Sequence, residues 1–114
     1  MIKVNLTVEA LESVHGRGAV GLHARLETLI DKEWAVLAER RTDESGRIDD
    51  WEGRGERQGL YRIVFDVDRY FAGLGMTPTY PKVTTTFRVS GERTGCRVSM
   101  NFSLHHYSAA FVVT

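Results

Sequence analysis

A two-residue alternation runs through most of this chain. Ile2, Val4, Leu6, Val8 and Ala10 alternate with Lys3, Asn5, Thr7 and Glu9, the period of a strand with one face in a core, so residues 2–11 are predicted as the first strand. Leu22 to Ile30 and Glu33 to Arg41 read as a hairpin closed through Asp31-Lys32. Tyr61, Ile63, Phe65 and Val67 line one face of the next strand. Val83, Thr85, Phe87 and Val89 mark another, as do Cys96, Val98, Met100 and Phe102 after a Gly91–Gly95 turn. Tyr107 to Thr114 supplies the last. The punctuation agrees: Val14–Gly18 and Glu44-Ser-Gly46 are turns, and residues 49–58 are polar and glycine-bearing, a surface loop. Asp68 to Gly75 is the one predicted helix, with Asp68 as its cap and Gly75 near its C-terminal end. Met76 to Pro81 is extended. Seven or eight short strands with one short helix predict an all-β, two-sheet sandwich that occupies residues 1–114 as a single domain.

Composition narrows the function classes. Fifteen basic and fifteen acidic side chains cancel, which argues against a nucleic-acid or anionic-membrane surface. No apolar run approaches the roughly 20 residues of a membrane-spanning helix. The first residues enter the alternation directly, without a basic-then-apolar leader, so a cytoplasmic protein is expected. The single cysteine, Cys96, lies on the apolar side of its strand and reads as a buried structural thiol in a reducing compartment. No His/Cys spacing suggests a metal site and no phosphate or dinucleotide motif is present, so neither metal nor cofactor is expected.

Six segments, in order, carry a resemblance over nearly the whole chain. They are Leu6-Thr-Val-Glu-Ala-Leu-Glu12, Gly16-Arg-Gly-Ala-Val-Gly21, Thr42-Asp-Glu-Ser-Gly-Arg47, Tyr61-Arg-Ile-Val-Phe-Asp66 with Tyr70-Phe-Ala-Gly-Leu-Gly75, Tyr80-Pro-Lys-Val-Thr-Thr-Thr-Phe87, and Tyr107-Ser-Ala-Ala-Phe-Val-Val-Thr114. Together they resemble the transthyretin and 5-hydroxyisourate hydrolase family. The resemblance implies a prealbumin-like sandwich assembled as a homotetramer, a dimer of dimers joined through the last strands. The first strand and the two C-terminal strands would then line a central channel holding a small-molecule site.

The hydrolases of that family use two histidines, an arginine and a C-terminal Tyr-Arg-Gly-Ser. Aligned residue by residue, the arginine is kept as Arg47, whereas Glu9 stands at the first histidine, Arg97 at the second and Ala110-Phe-Val-Val113 at the terminal motif. Tyr107-Ser108 followed by Val112-Val-Thr114 is more similar to the transthyretin tail.

Strand parity describes the same positions independently. With Leu6 and Val8 inward, Thr7 and Glu9 face outward, and Arg97, Ser99 and Asn101 oppose Cys96, Val98 and Met100. On the family's channel wall, Glu9, Arg47 and Arg97 would be the working groups, Glu9 as general acid or base and the arginines clamping a carboxylate, enolate or urea-like oxygen. Ser99, Asn101 and Ser108 would be hydrogen-bonding neighbours, and His106 shares the parity of Ser108 and reaches toward the rim. The bland alternatives are a cross-strand Glu9–Arg97 salt bridge that only holds the wall together, and two exposed turn histidines at His105-His106. Trp34 and Trp51 read as packing residues, and Ser45-Gly46 as the turn that aims Arg47. Three functions follow: an acid/base enzyme for hydrolysis, ring opening or closure, or isomerisation of a small cyclic metabolite, a non-catalytic small-molecule-binding protein, and a 5-hydroxyisourate hydrolase with substituted catalytic residues.

Overall fold

The computed structural model describes residues 5–49, 51, 58–90 and 95–113. Ile2 and Val4 of the first strand, most of the polar 49–58 segment and positions 91–94 of the turn ending at Gly95 lie outside the described residues. Among those described, two antiparallel-rich sheets stack around one core. The first holds β1 (Asn5–Glu12), β2 (Arg17–Gly18), β5 (Arg47–Ile48), β8 (Gly95–Phe102) and β9 (Tyr107–Val113). Its order is β2-β1-β8-β9, with β5 also on β1. The second runs β4-β3-β6-β7, from β4 (Glu33–Arg41), β3 (His23–Ile30), β6 (Gly59–Asp66) and β7 (Lys82–Val89). The two-sheet sandwich expected from the alternation is therefore the fold, with two two-residue strands, β2 and β5, added to the seven longer ones. No helix of the described residues is long and apolar enough to cross a membrane.

Local chemistry explains the connections. Asp31 (φ 51) and Lys32 (φ 68) both adopt left-handed backbone, the conformation a two-residue hairpin needs to match the twist of β3 and β4. The helix α1 (Val67–Ala72) starts earlier than the sequence suggests. Asp66, not Asp68, is its cap, its Oδ1 accepting from the Arg69 backbone N–H at 3.0 Å. The reason is packing: Val67 and Phe71, one turn apart, are both fully buried, and only a helix beginning at Val67 seats both. Asp68 falls in the first turn, exposed, where its charge suits the helix dipole. Gly75 (φ 72) closes the helix, with Met76 N–H donating to the Phe71 carbonyl and Gly75 N–H to that of Ala72.

The alternating residues meet between the sheets. Leu6, Val8 and Ala10 of β1, and Cys96, Val98, Met100 and Phe102 of β8, pack against Leu22, Ala24 and Leu26, Tyr61, Ile63 and Phe65, and Val83, Phe87 and Val89. Phe71 reaches in from α1 and meets Phe102 edge-on, ring centroids 5.6 Å apart, with Tyr70 completing a three-ring cluster. Cys96 is buried as expected, and burial pushes its thiol up to about 11. Trp51 is buried too, and Trp34 lies under the Arg62 guanidinium at 4.2 Å, both in the packing roles assigned to them.

The apolar parity of β1 also continues to Glu12, whose carboxylate is wholly buried. The following turn satisfies it: the backbone N–H of His15 donates at 2.8 Å and its Nδ1 stands 3.0 Å from the other carboxylate oxygen.

Candidate functional site

β1 is the first sheet's organising strand, because both of its edges are used. On one side it runs parallel to β8, pairing Thr7 with Arg97, Glu9 with Ser99 and Leu11 with Asn101. On the other it pairs antiparallel with β5, setting Glu9 opposite Arg47. Those registers bring the outward side chains of β1, β5, β8 and β9 to one face. A cleft of about 550 Å³ lies there, lined among others by Glu9, Arg47, Ser45, Ser99, Asn101 and Ser108.

Arg47 is aimed by the turn before it. Asp43 Oδ1 accepts from the Ser45 N–H (2.9 Å), the Ser45 hydroxyl (2.8 Å) and the Arg47 N–H (3.0 Å). The Arg47 and Ser45 donors hold the Asp43 carboxyl below its usual range. Gly46 takes φ 83, its N–H donates to the Asp43 carbonyl, and its own carbonyl accepts from Ala10 N–H at 2.8 Å. A Cβ on Gly46 would fall 2.4 Å from the Ala10 carbonyl oxygen, and one on Gly18 would fall 2.3 Å from that of Ser45. The turn therefore lies flat against β1 and β2 because both positions lack side chains.

The arginine so placed is held at both ends. Its Nη1 is 3.1 Å from Glu9 Oε1 and its Nη2 donates to Asp49 Oδ1 at 3.2 Å. The Asp49 hydrogen bond, with its charge and that of Glu9, raises the Arg47 pKa above its ordinary value. Glu9 Oε2 has no partner among the described residues, and the partly exposed Glu9 side chain lines the cleft.

Of the residues singled out from sequence, Glu9, Arg47, Ser99, Asn101 and Ser108 converge on this cleft. Arg97 does not. In the parallel register it sits beside Thr7, two residues from Ser99 along β8, or about 6.6 Å of strand rise. In place of the alternative Glu9–Arg97 bridge, Glu9 pairs with Arg47, since β5 brings an arginine directly opposite it. His106 also stays out of the cleft. Its Nδ1 lies 2.8 Å from the Ser103 hydroxyl inside the β8–β9 turn, and its carbonyl accepts from the Tyr80 hydroxyl at 3.0 Å. Asp43 and Asp49 join the site as residues that the sequence reading does not single out. For Asp43 a signal exists, the Asp-x-Ser-Gly-Arg spelling of an Asx turn. No group of residues suited to a metal ion occurs among the described residues.

Comparison with known proteins shows the family of this chain. The 5-hydroxyisourate hydrolases of Salmonella dublin, Salmonella typhi and Salmonella typhimurium (strain LT2) are each 29% identical over 104 residues, covering 90% of this chain and 76% of theirs. A model of the HIUase/Transthyretin family matches residues 6–110. With that match spanning both sheets and every residue that lines the cleft, the chain belongs to the HIUase/Transthyretin family.

Proposed function

We propose that this protein is a hydrolytic acid/base enzyme for a small cyclic metabolite, with Glu9 and Arg47 as its working pair. The observation that carries the reading is the pair itself: a carboxylate with one free oxygen beside a guanidinium, both on the wall of a cleft of about 550 Å³. Arg47 polarises a ring carbonyl through its donors while Glu9 Oε2 takes a proton from the attacking water. The tetrahedral centre then expels the ring nitrogen, which takes that proton from Glu9 as the C–N bond breaks. Ser99, Asn101 and Ser108 offer hydrogen bonds to the ring edge.

Arg47 already faces two carboxylates, Glu9 and Asp49. The cleft therefore suits a neutral, urea-like ring better than the carboxylate or enolate that two free arginines would clamp. Because similar proteins bear the name 5-hydroxyisourate hydrolase, 5-hydroxyisourate is the first substrate to try. Loss of its ultraviolet absorbance, faster with the protein than without and abolished by Glu9→Gln, supports the reading. Turnover unaffected by Glu9→Gln, or none on any cyclic ureide, ends it.

The second reading is a non-catalytic binding protein, favoured by the same two-ended hold on Arg47, which leaves its charge compensated without a ligand. Saturable ligand binding without turnover distinguishes it. In either case we infer a homotetramer in which β9, with most of its residues exposed, is covered by a second copy. The reduced, buried Cys96 fits a cytoplasmic setting.

A further inference from the structure

The polar side chains of the Glu9–Arg47 cleft differ in what they can offer a ligand. Arg47 carries only donors and the Glu9 carboxylate only acceptors. Ser99, Asn101 and Ser108 each carry both kinds and can turn to suit the ring they meet. Ser45 differs from them, because a neighbour fixes its hydroxyl. Its Oγ lies 2.8 Å from Asp43 Oδ1, the same oxygen that accepts from the backbone N–H groups of Ser45 and Arg47.

Those donors hold the Asp43 carboxyl below its ordinary value of 3.8, so at neutral pH it is ionised and has no proton to give. The hydrogen between the two oxygens is therefore the serine's own, and it points at Asp43. A hydroxyl oxygen that donates in one direction keeps its two lone pairs on the other side. Ser45 is exposed and lines the cleft, and none of the described residues donates to its Oγ.

We infer that Ser45 is a specificity-determining residue of this cleft: its hydroxyl, locked as an acceptor, receives an N–H of the bound ring. The inference rests on the reading of the cleft as a site for a small neutral ring, and it names the edge such a ring must present. Arg47 and Ser45 offer a donor and an acceptor from one turn. Their complement is a carbonyl beside an N–H, the edge of a cyclic ureide or lactam. A lactone, or a ring alkylated on that nitrogen, leaves the Ser45 lone pairs unmatched. Ser99 or Ser108 can rotate to donate instead, whereas Ser45 cannot, since its hydrogen is engaged by Asp43.

Calorimetric titration with hydantoin and with its N,N′-dimethyl derivative tests this, since both are neutral rings with the same carbonyls. Wild type is expected to bind hydantoin more tightly. Ser45→Ala should weaken hydantoin about fivefold and leave the dimethyl ring unchanged, while Ser45→Thr, which keeps the hydroxyl, binds hydantoin as wild type does. Asp43 retains two backbone donors in Ser45→Ala, so the turn persists. Equal weakening of both rings would mean that Ser45 only aims Arg47, and hydantoin binding indifferent to Ser45→Ala would mean that it touches no ligand. Either result overturns the inference. Because the readout is binding, the expected pattern without turnover of any ureide upholds it while the catalytic reading falls. If wild type binds neither ring, both fall.

Discussion

Glu9 and Arg47 stand directly opposite one another on β1 and β5, with Nη1 3.1 Å from Oε1, in a pair formed by strand register and not by reach. Neither side chain has to leave its strand direction to meet the other. The pair is therefore built into the backbone of the first sheet, and anything that shifts the Asp43–Arg47 turn shifts the pair with it.

At the pair itself, Arg47→Lys keeps the charge but loses the planar fork that meets Glu9 and Asp49 together. Activity on a cyclic ureide is expected to drop by about a hundredfold, with Glu9→Gln falling at least as far. A steady-state assay of both variants checks this, and a loss confined to KM would assign the pair to binding alone.

Asp43→Ala removes the acceptor of three hydrogen bonds around Arg47. The fold is expected to persist while turnover falls about tenfold to a hundredfold, because a displacement of about 1 Å at a working group costs that much. The pH dependence has a definite sign. The Asp43 carboxyl is depressed in the folded protein, so its contribution is complete above its ordinary value, 3.8, and is lost as pH falls through the lower folded value. Denaturant midpoints of wild type and Asp43→Ala should converge in that acid range.

Gly46→Ala forces a Cβ to within 2.4 Å of the Ala10 carbonyl oxygen at φ 83. We expect a loss of about 2 kcal/mol, combining left-handed strain with the displaced strand contact. Chemical denaturation measures it. Gly21→Ala, left-handed but with nothing near the added atom, should cost about 1 kcal/mol.

Much of the fold is legible in the alternation alone. The sandwich, the hairpin at Asp31-Lys32 and the outward faces of Glu9, Ser99 and Asn101 all follow from a two-residue period, which strands obey locally. Arg47 is legible through its turn. What alternation leaves open is register between strands distant in sequence, because sliding β8 by two residues past β1 preserves every inward side chain. That freedom is why parity puts Arg97 and Glu9 on one outward face without making them neighbours, and why it gives no hint of Asp49. The helix cap is ambiguous for a related reason. Asp66 and Asp68 are equivalent caps locally, and only Val67 and Phe71 entering the core together choose between them.

The opposite sheet holds a second ionic centre that should dominate acid stability. Glu27 is almost fully buried between Arg25 and Arg62, the latter at 2.6 Å. Burial opposes its ionisation, but the hydrogen bonds and charges of Arg25 and Arg62 outweigh that and hold its carboxyl below the ordinary 4.5. Its contribution is thus present above pH 4.5 and disappears as pH drops through the folded value. Glu27→Ala strands two guanidinium groups and is expected to cost about 3 kcal/mol at neutral pH, read from urea midpoints, with the difference from wild type shrinking as the pH falls below that ordinary value.

The Cys96 thiol, pushed up to about 11 by burial, should be inert to aromatic disulfide reagents at about pH 8 and titrate fully only in denaturant. Fast reaction of the native protein would mean that the β8 end of the core opens.

The parallel pairing of β1 with β8 also sets the order in which the protein can acquire its cleft. Asn5 pairs with Gly95 and Glu12 with Phe102, so one wall strand waits for a partner made about ninety residues later. The β3–β4 hairpin and its neighbours β6 and β7 are local and can form while synthesis continues. During that interval β1 carries an unpaired edge with Leu6, Val8 and Ala10 uncovered. A nascent chain stalled before β8 would expose that strand to other chains, and the cleft is the last part of the molecule to come into being.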